Sequence, residues 1–176
     1  MRDAADLYGI KSKYFDVVIA NMSLMDIADA VGAIQEASRV LRGNGHFIFS
    51  ITHPAFCDFR QQWVIIKENA KKYFARAVSK YLSSAVGRYT LWASGIKTIQ
   101  YHRSIETYFE YLRNANFLIS EFREIATKKP VRKAEKEDGN VKLRRSRYTT
   151  FAEKRMKEFA GKEIPFFLVI GALKIK

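Results

Sequence analysis

The fold is decided by Phe15-Asp16-Val17-Val18-Ile19-Ala20-Asn21 and by the two stretches that follow it, Arg39-Val40-Leu41-Arg42-Gly43-Asn44-Gly45 and His46-Phe47-Ile48-Phe49-Ser50-Ile51-Thr52-His53-Pro54. The first and the last are short runs of β-branched and aromatic residues, which are typical of strands buried on both faces. Between them, the apolar residues at 27, 31, 34 and 41 lie on one face of a helix that Gly43 is expected to end. A strand, a helix and a strand over about 40 residues predict a βαβ unit with two parallel strands.

The rest of the chain predicts further elements of an α/β domain. Residues 58–90 carry aromatic and apolar side chains three or four positions apart, which predicts one or two amphipathic helices. Residues 96–102 are expected to be extended, and Ser104 is suited to cap the start of another helix. The apolar alternation over 117–125 and the apolar run over 164–175 predict two more strands.

Length and composition favour a single soluble domain over residues 1–176. The N-terminal segment is polar, unlike a signal peptide, and the longest apolar run near either end, 164–173, is too short to span a membrane. The one cysteine, Cys57, excludes an internal disulfide, so we expect a cytoplasmic protein, and a packed thiol is favoured over a nucleophile. The three histidines lack the spacing of metal ligands, so no metal site is predicted.

The net charge of +13 indicates an anionic partner or a basic, solvated surface. Over half of this charge lies in residues 128–160, which hold 12 basic and 5 acidic residues and are interpreted as a basic insertion before the last strand. Within it, the segment 142–147 with Tyr148 and Phe151 nearby could neutralise phosphates and stack on bases of an RNA. The alternative interpretation is a solvated insertion over the substrate pocket.

The order of these stretches resembles the second half of class I S-adenosylmethionine-dependent methyltransferases of type 11 or 12. That family typically has an FDVV strand, a helix ending in RVLKPGG and a strand such as RFVFSITHP, and here Asn44 replaces the proline. The stretch Tyr101-His102-Arg103, the helix before Asn116-Phe117 and the closing 164–168 run are similar to later family segments, with Asn116 in place of glycine. The resemblance implies a Rossmann-like sheet with a helical insertion at 58–95 and an antiparallel C-terminal strand.

The resemblance also implies S-adenosylmethionine as cofactor and assigns residues to it. Asp3 and Ala4 match the family segment that contacts adenine, although a charged residue so near the terminus is otherwise simply solvated. Asn21 would lie beside the methionine part of the cofactor, and Met22 and Met25 near the adenine or the methyl group. Ordinary core packing is the competing interpretation of the two methionines.

Residues just after the second strand are the candidates for the substrate pocket, because ligands of open α/β sheets bind outside the carboxyl ends of the strands. These residues are Thr52, His53 and Pro54. His53 is the candidate general base, with capping of the turn as the structural alternative. The resemblance adds His102 and Arg103 to the pocket border, with a hydrogen bond at the sheet end as the alternative.

The sequence contains no Gly-x-Gly-x-Gly loop, which the family carries before the adenine-contacting aspartate. The resemblance therefore implies a truncated enzyme, one half of a split enzyme or a misplaced start at Met1. The missing part would come from a complementing N-terminal polypeptide, and the apolar edge beside Val17 and Ile19 is expected to be unpaired and to favour homo-oligomers. The alternative function is a non-catalytic basic subunit that binds RNA or a protein partner.

Overall fold

The computed structural model of the protein describes residues 3–59, 62–68, 71–90, 97–126 and 164–176. A short 3₁₀ turn covers Leu24–Asp26, and the helices are α1 (Ala30–Val40) and α2 (Ile105–Asn114). The strands within these ranges are β1 (Phe15–Asn21), β2 (Leu41–Thr52), β3 (Gln62–Glu68), β4 (Lys71–Ala77), β5 (Ala85–Thr90), β6 (Lys97–His102), β7 (Phe117–Ile125) and β8 (Phe167–Lys174).

The main sheet has four strands in the order β1-β2-β8-β7. Strands β1 and β2 are parallel, with Val18 opposite Phe47 and Ala20 opposite Phe49, which confirms the predicted βαβ unit. Strand β8 lies antiparallel to both β2 and β7, as the resemblance implied for the last strand. The mixed sheet and its two helices confirm the Rossmann-like α/β fold class.

The core lies on one face of this sheet, beneath α1 and α2. Alternate residues of β2 point into it, because side chains of a strand alternate between the two faces. Its aromatic rings stack in a row, with centroids 5.4 Å apart for Phe47 and Phe49 and 5.8 Å for Phe49 and Tyr108. The other buried members from the sheet and the helices include Ile34, Ile51, Leu112, Leu168 and Ile170.

Helix α1 is bounded by specific polar contacts at both ends. At its start, the Asp29 carboxylate accepts a hydrogen bond from the Gly32 N–H at 2.8 Å, which is an N-cap. At its end, the Lys174 ammonium donates to the carbonyl oxygens of Ser38 and Leu41 at 2.6 and 2.8 Å. The helix ends at Val40, so the prediction that Gly43 ends it is wrong. Leu41 is already extended and paired with β1, and β2 therefore starts before the glycines.

The prediction that β1 is buried on both faces is also wrong. Val18 and Ala20 are half-buried against the core, but Val17 and Ile19 on the opposite face are 46% and 68% exposed. Val17 and Ile19 are exposed because β1 is the edge strand and both described helices pack on the other face of the sheet. The expected apolar, unpaired edge beside Val17 and Ile19 is thus present among the described residues.

The predicted amphipathic helices of the 58–95 insertion are absent from its described residues, most of which form strands. Strands β3 and β4 pair antiparallel, with Ile65 opposite Phe74, and β5 pairs antiparallel with β6. The three-to-four spacing of apolar residues was misleading, because the β-branched run Val64-Ile65-Ile66 favours extended backbone more strongly. The basic segment 128–160 with its 142–147 stretch, Tyr148 and Phe151 lies outside the described residues. No described helix has the length and apolar character needed to cross a membrane.

Asn116 connects α2 to β7 in the left-handed backbone region, with φ 60°. This region favours glycine, and asparagine tolerates it better than other residues with a side chain. The structure therefore explains how asparagine takes the place where the resembling family has glycine. Asn44, where that family has proline, has the same conformation, with φ 64°, at the irregular start of β2.

We expect Asn116→Ala to lower the free energy of unfolding by about 1 kcal/mol, because alanine resists a positive φ. Asn116→Gly should leave it unchanged to within about 0.5 kcal/mol. Chemical denaturation followed by circular dichroism measures both. Asn114→Ala, at the end of α2 and also exposed to solvent, is the matched control and should cause no loss. Equal stability of the three variants would contradict the role of backbone strain.

Ile19→Lys should reduce self-association of the chain, because a lysine on an edge strand opposes pairing with another strand. We expect the unmodified chain to elute as oligomers in size-exclusion chromatography and the variant to move toward the monomer. Leu82→Lys is the matched control, since Leu82 is 75% exposed but lies outside the sheet. A monodisperse monomer of the unmodified chain would show that this edge does not drive association.

Candidate functional site

A shallow recess with room for about one water molecule lies at the carboxyl end of β2, beside the loop that follows β1. Three elements meet there: the end of β2 with its following turn, the β1 loop, and the end of β6 with the start of α2. Its lining combines an apolar side with a polar side and consists of Met25, Ile51, Thr52, Pro54, Asp58, Gln100, Tyr101, His102, Arg103 and Tyr108. Five residues predicted from the sequence therefore meet in one place, namely Met25, Thr52, Pro54, His102 and Arg103.

The loop after β1 turns sharply at Met22, which has φ 50° and is thus in a strained conformation for a residue with a side chain. Ser50 of β2 holds it there, because the Met22 N–H donates to the Ser50 carbonyl oxygen at 2.9 Å and to its Oγ at 3.0 Å. The Ser50 hydroxyl in turn donates to Asn21 Oδ1 at 2.6 Å. The sequence analysis did not identify Ser50, although a serine inside an otherwise apolar strand was the available signal.

Arg103 is buried and holds the next part of this loop. Its Nη2 donates to the carbonyl oxygens of Ile27 and Ala28 at 2.9 and 2.8 Å, and its Nη1 donates to that of Leu24 at 3.3 Å. The guanidinium also lies 5.3 Å from the centre of the Tyr101 ring, within the range of a cation–π contact. Arg103 therefore combines both roles considered from the sequence, since it borders the recess and makes hydrogen bonds at the sheet end.

Tyr108 lies beside Arg103 on the recess wall and is almost completely buried. Burial raises the pKa of the Tyr108 hydroxyl, and the neighbouring Arg103 offsets only part of this effect. The phenol consequently stays neutral at physiological pH and can donate or accept a hydrogen bond.

His102 is buried and paired with a residue that the sequence analysis missed. Its Nδ1 lies 2.5 Å from Asp58 Oδ2, and its Nε2 lies 2.7 Å from the carbonyl oxygen of Tyr81. The partners are separated by 44 and 21 positions in the chain, so no local pattern could have indicated them. Because both ring nitrogens are engaged, His102 joins β6 to the turn after β2 and to the β4–β5 connection.

His53 is buried but does not line the recess. Its Nδ1 accepts a hydrogen bond from the Ala55 N–H at 3.2 Å, and its Nε2 lies 2.8 Å from Glu124 Oε1 on β7. The ring also stacks on Phe56 at 4.7 Å. The acceptor role of Nδ1 places the proton on Nε2, so this geometry matches the capping interpretation, and a role as base would require the turn to open.

Asp3 and Ala4 lie outside the recess. Asp3 is exposed, and its Oδ1 accepts a hydrogen bond from the Ala5 N–H at 3.0 Å. The segment that follows is attached to α1 by Glu36 and Arg39: the Leu7 N–H donates to Glu36 Oε2 at 2.8 Å, and Arg39 donates to the Leu7 carbonyl oxygen. The adjacent Ala5 packs against Gly32 at the start of α1, so closely that a Cβ added to Gly32 would lie 3.1 Å from the Ala5 Cβ.

Cys57 follows the His53 turn and is an inert thiol. Burial raises the pKa of Cys57 from 9.0 to about 11, and the nearby Arg76 only partly opposes this. The thiolate is the nucleophilic form of cysteine, so this environment suppresses it. Among the described residues, no group of three or more His, Cys, Asp and Glu side chains is placed to hold a metal ion.

Comparison with known protein families gives a match for the N-terminal part of the chain. Residues 1–49 match a family model described as a methyltransferase domain. A comparison with curated protein sequences gives no match. The family match ends inside β2, so it covers β1, α1 and the loop between them.

Solved structures with the same fold are similar along nearly the whole chain. A candidate S-adenosylmethionine-dependent methyltransferase from Listeria monocytogenes has a TM-score of 0.68 at 22% identity, over 98% of this chain and 67% of that one. An S-adenosylmethionine-dependent methyltransferase from Mesorhizobium loti has a TM-score of 0.67 at 20% identity, over 98% of this chain and 68% of that one. A candidate methyltransferase from Haloferax volcanii was solved in complex with the Trm112 methyltransferase activator. It has a TM-score of 0.55 at 16% identity, over 99% of this chain and 60% of that one. The fold is therefore that of these methyltransferases.

Alkylation should test the environment of Cys57 directly. A pKa near 11 leaves about 100-fold less thiolate at pH 8 than a pKa of 9.0 would. Iodoacetamide should therefore modify the folded chain about 100-fold more slowly than the chain in denaturant, with a rate that keeps rising as the pH approaches 11. A Cys57→Ser/Leu82→Cys variant, with its thiol on the surface, should react at the ordinary rate. Rapid modification of folded Cys57 at neutral pH would contradict its burial.

Proposed function

We propose that this chain forms the acceptor side and part of the cofactor side of an S-adenosylmethionine-dependent methyltransferase. The observation that carries the proposal is the recess at the carboxyl end of β2, bordered by the β1 loop, in a chain with a methyltransferase fold. The family match over residues 1–49 supports it, because that range contains the β1 loop. The fold alone would not support a proposed activity, since one fold can host many chemistries.

The proposed cofactor contacts are Asn21, Met22, Met25, Asp3 and Ala4. Asn21 Oδ1 accepts from Ser50, which leaves its amide N–H groups to donate to the carboxylate of the methionine part. Met22 and Met25 offer apolar, polarizable surface to the adenine or the methyl group. Asp3 keeps its second carboxylate oxygen for the adenine amino group while the first one accepts from Ala5.

The cofactor would supply an electrophilic methyl group on a sulfonium, and the protein would mainly align the acceptor and exclude water. Within that task, Arg103 fixes the 24–28 loop against the recess. Thr52 and Gln100 form a polar pair, in which Gln100 Nε2 donates to Thr52 Oγ1 at 3.1 Å, and would orient the acceptor. Pro54 and His102 complete the wall, and His53 would act as a base only if its turn released the ring.

The glycine loop that usually contacts the cofactor has no counterpart in this sequence, so we propose that a complementing polypeptide supplies it. The exposed edge of β1, with Val17 and Ile19, is where an added strand would pair. A homo-oligomer through the same edge is the alternative arrangement. The neighbour from Haloferax volcanii, which was solved with an activator, is a precedent for a methyltransferase that works with a second polypeptide. A cytoplasmic setting belongs to the same proposal, because the single cysteine excludes an internal disulfide.

A second candidate function is a non-catalytic subunit that binds RNA or a protein partner through its basic residues. The observation in its favour is the net charge of +13, over half of it in residues 128–160. RNA binding of this kind would weaken steeply with added salt, because phosphate contacts release counterions. Such binding in a chain that never binds S-adenosylmethionine would favour this candidate over the enzyme.

Calorimetry with S-adenosylmethionine tests the main proposal. We expect weak or no binding by the chain alone and binding after co-expression with a polypeptide encoded upstream. In the complemented protein, Asn21→Ala should weaken binding about tenfold, the effect of losing one hydrogen bond to a charged group. Asn114→Ala at the end of α2 is the matched control and should have no effect. Tight, stoichiometric binding by the chain alone would contradict the need for a complementing polypeptide.

A further inference from the structure

We infer that a stripe of α1 positions the N-terminal segment that carries Asp3 and Ala4, and that Arg39 is its central positioning residue. The stripe consists of Gly32, Glu36 and Arg39, which are four and three positions apart and therefore lie on one face of the helix. The inference rests on the proposed function, because it concerns the adenine end of the same cofactor site. Arg39 acts through the segment and does not itself contact the cofactor.

Arg39 donates all five of its guanidinium N–H groups within the chain. Its Nη1 donates to the Ile10 carbonyl oxygen at 2.8 Å and to Ser12 Oγ at 3.1 Å. Its Nη2 donates to the Leu7 carbonyl oxygen at 3.1 Å and to Glu36 Oε2 at 2.8 Å, and its Nε donates to Glu36 Oε1 at 2.7 Å. One side chain thus binds three residues of the segment, which lie 27 to 32 positions earlier in the chain.

Glu36 binds both the segment and the guanidinium. Its Oε2 accepts a hydrogen bond from the Leu7 N–H at 2.8 Å, so Leu7 is held at its N–H by Glu36 and at its carbonyl oxygen by Arg39. The hydrogen bond from Arg39 lowers the pKa of Glu36 against the opposing effect of burial, and the Leu7 N–H adds to the lowering. The carboxylate therefore stays charged at physiological pH. A two-point pair of this kind fixes orientation as well as distance.

Gly32 allows the start of the segment to approach the first turn of α1. Ala5 packs there so closely that a side chain at Gly32 would push the segment away or be displaced by it. At the other end of the helix, the Lys13 N–H donates to the Arg39 carbonyl oxygen at 2.9 Å. The segment therefore follows α1 from its first turn to its last.

The stripe brings both candidate cofactor segments to the same end of α1. The contact of Ala5 with Gly32 places the turn at residues 3–4 beside the start of the helix. The loop after β1 reaches the same end, because Asp29, the N-cap of α1, directly follows the carbonyl groups that Arg103 binds. A nucleoside lying across this end of the helix can contact both segments, provided that the stripe holds the first one in place.

Amide hydrogen exchange, measured by NMR on the folded chain without ligand, tests whether the stripe holds the segment. Arg39→Gln should make the Leu7 and Ile10 amides exchange at least about tenfold faster, because the charge-assisted hydrogen bonds that order them are lost. Amides in the middle of β2 should keep their rates. Arg42→Gln is the matched control, since Arg42 forms its ion pair at 2.8 Å with Asp16, outside the segment. Unchanged exchange at Leu7 in Arg39→Gln would overturn the inference.

Adenosine and purine riboside, which lacks only the exocyclic amino group, separate positioning from a merely structural role. NMR titration of the unmodified chain, followed at the Ala4 and Ala5 amides, should show an about three- to tenfold preference for adenosine, the effect of one hydrogen bond to the Asp3 carboxylate. Arg39→Gln should remove this preference, Arg39→Lys should retain part of it, and the Arg42→Gln control should retain all of it. Asp3→Asn should remove it without changing exchange at the Leu7 amide.

Two outcomes of the titration would overturn the inference: no preference for adenosine in the unmodified chain, or equal losses of affinity for both nucleosides in Arg39→Gln. Glu36→Gln keeps an acceptor for the Leu7 N–H but removes the charge, so it should lose part of the preference and decides the question if Arg39→Gln does not fold. A full preference in Glu36→Gln would contradict the inference in that case. These arms use no S-adenosylmethionine, so their failure is distinct from failure of the calorimetric test of the proposed function.

Discussion

The candidate site depends on one buried guanidinium. Arg103 follows β6 and precedes the N-cap of α2, and it donates to the carbonyl oxygens of Leu24, Ile27 and Ala28 in the loop after β1. It thereby joins the junction of β6 and α2 to a loop 75 to 79 positions earlier in the chain. Loss of this side chain would remove a hydrogen-bond donor from three loop carbonyl groups, and a polar group that loses its partner away from water is costly. The loop that carries Met25 would then lose its position relative to the recess.

The sequence predicted those parts of the fold that local patterns determine. The βαβ unit follows from two apolar runs with an amphipathic helix between them, and both strands pair in parallel as expected. Residues 62–77 were predicted to be helical because their apolar residues are three or four positions apart. They instead contain a β-branched run and form an antiparallel strand pair. In the site, His102 and Arg103 were found from resemblance. Asp58 was missed because only the folded chain brings it to His102, 44 positions away.

The one-sided burial of the sheet explains several observations together. Both helices pack on the face that carries Phe47 and Phe49, so the opposite face and the β1 edge keep apolar side chains in solvent. Strands of this composition normally lie between two covered faces, which is why the sequence predicted full burial of β1. Among the described residues the backbone edge of β1 is also unpaired, and an added strand of the kind proposed above would pair there.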